Sequence, residues 1–434
     1  MLVQFKFKNF KCFKDEAVLN LVASNYFTTD RPENVIPSPF YSVVKSVSVF
    51  GANASGKTKL IQAFDFMQTV VLLSANNNNN FSWQKKYSQF KLNTQSLNEN
   101  SVFEVVFILD DIQYRYGFEL NQEEIASEWL FRKKTKEINI LYRDNFGTTV
   151  NKRYINDKIF KVIEDAKMVR KDVLYLSALA FWNDSLSSMI SHWFADNIVL
   201  STSLDQYMGF SLQKLDDPQS KSKILSLLKS ADTGIDDIFP NEIAVESIPE
   251  EIKKMIPKEA LIGKIFNGVK TIHKQFDENH LPVGVVELSM EQDESYGTSK
   301  MFALSAPIIE ALERGKVLWI DEIDSGLHYL LLQEIIKLFY SESKNPHNAQ
   351  LIINSQNIDL IDKGLFRRDQ IYLTSKNVYG ESSLQALTDF SLRKDAKIGD
   401  LYRKGLLGGI PYLSDFAHDL NTEVGDGNET EKRS

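Results

Sequence analysis

The run GANASGKT, Gly51 to Thr58, follows directly on the strand-like Ser46–Phe50 and fills every fixed position of the pattern G-x-x-x-x-G-K-[ST]. No other stretch restricts the fold as much, because a strand must end and a helix begin around a loop that wraps an anion. Gly51 and Gly56 let the backbone curl, with Asn53 and Ser55 inside the curl, so that successive N–H groups turn toward phosphate oxygens. Lys57 supplies positive charge to the β- and γ-phosphates of ATP, and the Thr58 hydroxyl can ligate Mg²⁺. The following KLIQAFDFMQTVVLL is apolar at helical spacing, so a helix N-terminus and its dipole would face the phosphates. This pattern implies a nucleotide-binding protein.

A nucleotide site of this kind needs a second strand. VLWIDEIDSGLH, Val317 to His328, has four apolar residues followed by two acids, the way a buried parallel strand ends when it delivers a carboxylate to bound Mg²⁺. Asp321 would hold the metal through water, and Glu322 is placed to polarise the attacking water as general base. Upstream, Ser295, Gly297 and Thr298 stand just before the strongly helical KMFALSAPIIEALER. Such a loop can present a hydroxyl and backbone N–H groups to a phosphate, although by itself it is a plain helix N-cap.

Bulk properties narrow the rest. A chain of 434 residues with 43% hydrophobic and 25% charged content can bury a large core, and its length suggests two or three domains. No apolar run reaches the roughly 20 residues of a membrane span. The opening MLVQFKFKNFKCF alternates like a strand and lacks a signal peptide's apolar core. Cys12 is the only cysteine, which excludes an intrachain disulfide and a thiolate-rich metal site. A cytoplasmic location and no membrane partner are expected. The net charge of −8 speaks against a surface that binds nucleic acid throughout, although Lys6, Lys8, Lys11 and Lys14, and Arg132, Lys133, Lys134 and Lys136, form two local basic clusters.

Along the chain, FEVVFIL and IQYRYGFEL flank Asp110–Asp111 as a hairpin would, and EWLFRKK and EINILYRD continue the antiparallel pattern. The Asn76–Asn80 run reads as a loop. Residues 151–280 read as largely helical, and residues 419–434 are polar enough to be disordered.

The order GANASGKT, S-Y-G-T, VLWIDE and the D-S-G-L-H turn resembles the ABC-type ATPases, in particular the branch of RecF, the chromosome-structural (SMC) proteins and the double-strand-break repair ATPases. The resemblance implies that Ser295 and Gly297 belong to the signature motif, which contacts the γ-phosphate of ATP bound to the opposite subunit. It also implies that Asp324 is the D-loop aspartate. The opening KFKNFKCFKD looks like the family's N-F-[RK]-x-F start, whose basic residue, here Lys11, lies near the nucleotide. Where the family usually has a switch histidine, LIINSQNIDL offers Gln356, which can donate a hydrogen bond to the γ-phosphate but cannot carry a proton. Slow hydrolysis is the expectation. Gln89 is the candidate for the glutamine loop.

The start through LVAS, YRYGFEL, DVLYLSALA and LYRKGLLGGIP is similar to bacterial OLD-like and abortive-infection ATPases, including the ATPase subunits of two-gene anti-phage systems such as PARIS and Septu. That similarity spans roughly residues 1–415. The expected fold is α/β, an ABC-type P-loop ATPase head with an antiparallel β subdomain and an inserted helical lobe. Residues 1–150 and 281–418 would be the two halves of the core, 151–280 the lobe and 419–434 the tail. No long heptad run appears, so no extended coiled coil is expected. The expected protein is a Mg²⁺-dependent ATPase, at least a dimer with ATP shared between subunits, that senses an invader and controls a separate effector encoded nearby. The alternative is a RecF-like DNA-binding ATPase of repair or replication, supported by the two basic clusters. A transporter motor is disfavoured by the N-F-K-C-F start.

Overall fold

The computed structural model describes residues 1–27, 30–76, 82–200, 204–243, 253, 265–362, 364–393 and 395–410. The expected disordered tail 419–434 and residues 77–80 of the asparagine run lie outside these. The class is the expected one: mixed α/β, with helices packed on a largely parallel sheet and a separate antiparallel sheet.

The core sheet runs in the order Ile198–Leu200, Val317–Ile320, Gln350–Ser355, Ser46–Gly51, Ile371–Lys376, Ser382–Ala386. Its first five strands are parallel and the last is antiparallel. The three central strands are buried at every position, hence the continuous apolar runs rather than alternation. The strand that ends in the phosphate loop and the strand that ends in the two acids are not neighbours, since Gln350–Ser355 lies between them. Register pairs Ile320 with Ile353 and Ser355 with Phe50, so the C-terminal ends of all three strands lie at the same edge, the acidic strand stopping slightly short of the other two.

The helix Lys57–Leu73 is buried on nearly all sides because it lies between two sheets. Phe64 stacks on Trp319 of the core sheet with ring centroids 4.3 Å apart, and Phe66 meets Phe103 of the second sheet and Phe10, just past that sheet's strand Leu2–Lys8, at 5.2 Å each. That second sheet has seven antiparallel strands: Gly147–Val150, Glu137–Asp144, Ile125–Lys133, Ile112–Leu120, Ser101–Leu109, Leu2–Lys8, Ala17–Asn20. Its hairpin at Asp110 and Asp111 turns in two residues with φ of 50° and 56°, the left-handed pair that matches the strands' twist.

The described residues of 151–280 do not form one helical lobe. Helices Tyr175–Phe181 and Ser185–Asp196 join the core around Phe64, where Trp193 stacks on Phe107 at 3.9 Å. Helices Leu204–Gln213 and Pro218–Ser230 belong instead to the core around helix Tyr296–Arg314. Between these pairs, Ile198–Leu200 is a strand of the core sheet itself, parallel to the acidic strand. Three residues are too few to show a periodicity, so this strand has no signature in sequence. Asp237–Ile243 and Ile265–Phe276 are also strands, forming a three-stranded antiparallel sheet with Pro282–Ser289.

Candidate functional site

The loop Gly51–Thr58 is held in its curl from outside. A side chain on Gly51 would collide with Thr374, whose hydroxyl also meets the Ser55 hydroxyl at 2.6 Å. Gly56 has φ 118° and rests against Phe13 and Ser382, so it must be glycine for both conformation and space. The Lys57 ammonium is buried and donates to the loop carbonyls of Gly51 (2.7 Å) and Ala52 (2.9 Å). Burial lowers its pKa, and the carboxylates of Asp324, Glu322 and Asp321 oppose that shift.

The acidic strand meets the helix at this loop. The Thr58 hydroxyl donates to Asp321 Oδ1 at 3.1 Å, and Asn354 Nδ2 donates to the same oxygen. Asn354 Oδ1 accepts from the Glu322 N–H, so one fully buried amide fixes both acids from the intervening strand. Burial raises the Asp321 pKa; the Asn354 and Thr58 hydrogen bonds and Lys57 counter it. Glu322 is exposed, with φ 47°, a left-handed conformation unusual for a side chain of this size. Its carbonyl accepts from Lys300 Nζ at 2.5 Å. Lys300 is buried in helix Tyr296–Arg314 and burial pushes its pKa down to about 8, against the pull of Asp324, Glu322 and Asp321.

Asp324 turns inward. Its Oδ2 accepts the backbone N–H groups of Gln356 (2.8 Å) and Asn357 (2.9 Å), which ties the turn after the acidic strand to the turn after its neighbour. Gln356 itself is exposed beside the acids. Ser295 caps helix Tyr296–Arg314, accepting from Thr298 N–H at 3.1 Å and sharing a hydrogen bond with the Thr298 hydroxyl at 2.9 Å. Gly297 packs on the Gly326 carbonyl and Gly326, at φ 73°, lies against the Tyr296 ring. The serine-glycine loop therefore sits on the D-S-G-L-H turn, and its described contacts do not reach Gly51–Thr58. Lys11, at φ 53°, donates to Gln62 Oε1 at 2.7 Å on the flank of the phosphate-loop helix. Gln89, whose neighbour Ser88 accepts the Lys11 N–H, donates instead to Leu97 O.

The donor set suits a magnesium nucleotide. Thr58 and Asp321 offer one hydroxyl and one carboxylate at a single point, as Mg²⁺ asks when phosphates and water complete its shell.

The family model described as "AAA domain, putative AbiEii toxin, Type IV TA system" matches residues 46–157 and 193–362, which include the phosphate loop, the serine-glycine loop, both acids and Asn354. The chain belongs to this family. Among solved structures, the SMC head domain from Thermotoga maritima is similar at 12% identity and TM-score 0.39, covering 89% of this chain and 98% of that one. The SMC head bound to the C-winged helix domain of ScpA is similar at 12% identity and TM-score 0.40, covering 89% and 99%. No curated protein matches.

In this member of the AbiEii-type AAA family, sequence reading passed over Asn354, Lys300, Thr374 and Phe13. Asn354 had the best available signal, as a polar residue ending the apolar LIIN two places before Gln356. Lys300 had only its place in a helix otherwise buried around it.

Proposed function

We propose that the chain binds ATP with Mg²⁺, completes its site with a second copy, hydrolyses slowly, and serves as the sensor and regulatory subunit of a bacterial anti-phage system with a separate effector. The observation that carries the ATPase reading is the run Thr58–Asp321–Asn354–Glu322, four residues from three elements joined at one sheet edge. Gly51, Asn53, Ser55, Gly56 and Lys57 hold the phosphates, Thr58 and Asp321 hold the metal, and bound Mg²⁺ would supply charge neutralisation at the β- and γ-oxygens. Glu322 orients water and takes its proton. Gln356 donates to the γ-phosphate, on a loop whose position Asp324 sets. Ser295 and Gly297 act on the nucleotide of the second copy, and Lys11 flanks the chain's own.

In the same reading, residues 1–150 and 281–418 are the halves of the head, joined by Ile198–Leu200 from within 151–280. The family's description, with its putative AbiEii toxin and type IV toxin–antitoxin system, supports a defence role. A cytoplasmic place agrees with the lack, among described residues, of any helix long and apolar enough to cross a membrane. The RecF-like reading is weakened by the state of its first basic cluster. Lys6 pairs with Glu16 and Glu104, Lys8 with Glu99 and Lys14 with Glu381, so carboxylates already occupy that surface.

Turnover and nucleotide-binding measurements test this. Lys57→Ala should lose most ATP binding, and Glu322→Gln should bind normally while turning over roughly 10²-fold more slowly. Wild-type hydrolysis by Glu322→Gln would remove Glu322 from the mechanism. Mixing Lys57→Ala with Ser295→Arg chains should restore part of the activity through one intact shared site, and Lys57→Ala should abolish phage protection when co-expressed with the neighbouring gene.

A further inference from the structure

The three-stranded sheet before the serine-glycine loop carries an apolar ribbon in solvent. Strand Ile265–Phe276 pairs with Asp237–Ile243 only as far as Ile272, whereas its pairing with Pro282–Ser289 continues to Phe276. Beyond Ile272 the hairpin is therefore two-stranded. It closes through Asp277 Oδ1, which accepts from Asn279 and Leu281 N–H at 2.9 Å each. Phe276 is 54% exposed, Leu281 60%, Val283 60% and Val285 64%. The outer edge of Pro282–Ser289 pairs with no strand among the described residues.

A two-stranded ribbon is marginal in water, and an open apolar edge is a template for another strand. We propose that this edge pairs with the same edge of a second copy of the chain, antiparallel about a two-fold axis at Gly284. The chemistry of the strand points to a copy of itself. Its one charged side chain, Glu287, is bound by Lys270 at 3.0 Å on the inner strand, so the edge is neutral and offers nothing to a charged partner. An axis at Gly284 sets Val283 opposite the other copy's Val285, and Glu287 opposite Leu281, so the carboxylates never face each other. Gly284 leaves room at the axis, the nearest atom to a side chain there being Gln275 Oε1 at 3.7 Å. A ribbon this short should bury less than the roughly 800 Å² per partner of a standard interface, so a weak, reversible dimer is expected. The contact uses no nucleotide and none of the residues assigned above to the shared ATP site.

Sedimentation of the full chain carrying Lys57→Ala, without nucleotide, isolates this contact from any dimer that ATP builds. A monomer–dimer equilibrium is expected, shifted at least tenfold toward monomer by Val285→Lys. Val378→Lys, at a site 93% exposed on a different hairpin, should leave it unchanged. In a Cys12→Ser background, tagged Val283→Cys chains mixed with untagged Val285→Cys chains should form a mixed disulfide in air. A protein monomeric at every concentration, a dimer indifferent to Val285→Lys, or an edge covered only by a different co-purified protein would each overturn the proposal.

Discussion

The edge of the parallel sheet and the ribbon before Ser295 are built in opposite ways. At the sheet edge, polar groups are held by residues far away in sequence, as in Thr58 with Asp321, Asn354 with Asp321, and Ser55 with Thr374. In the ribbon the bonds are local, as in Asp277 with Leu281, Ser289 with Asp293, and Lys270 with Glu287, and large apolar side chains face solvent. The first region is organised before anything binds. The second is left for another molecule to finish. Helix Tyr296–Arg314 connects them, with Ser295 at its exposed start and Lys300, one turn in, on the Glu322 carbonyl.

The contrast can be broken by substitution. Phe64→Ala should have the largest effect, because that ring is fully buried between Trp319 and Phe5; a loss of roughly 3–5 kcal/mol is expected in urea unfolding. A loss below about 1 kcal/mol would mean that the helix between the two sheets is not what holds the loop in place. Asn354→Ala should come next. It strands the Glu322 N–H and leaves Asp321 Oδ1 with the Thr58 hydroxyl alone, costing about 1–3 kcal/mol, and should lower ATP turnover by roughly 10–100-fold with folding intact. Val285→Thr should be smallest, within about 0.5 kcal/mol in the monomer, since the side chain touches mostly water. If it costs as much as Asn354→Ala, the ribbon is packed within its own chain and the contrast fails.

The strand–loop–helix at Gly51–Thr58, the four-residue strand before the two acids and the Asp110–Asp111 hairpin were legible because each is a local pattern. Turn chemistry, helical spacing and an unbroken apolar run all lie within about twenty residues. Asn354 could not be read as the clamp between Asp321 and Glu322, because that depends on the parallel register Ile320–Ile353, a pairing of segments over thirty residues apart. The same limit hid Ile198–Leu200, whose strand state exists only beside Val317–Ile320, and Lys300, whose burial follows from how its helix packs. The sequence by itself determined which short segments curl, bury and carry charge, since those choices follow from backbone freedom and side-chain solubility over a few residues. Only the tertiary structure decided which segments lie side by side, because parallel register and shared hydrogen bonds arise from long-range packing that no local pattern encodes.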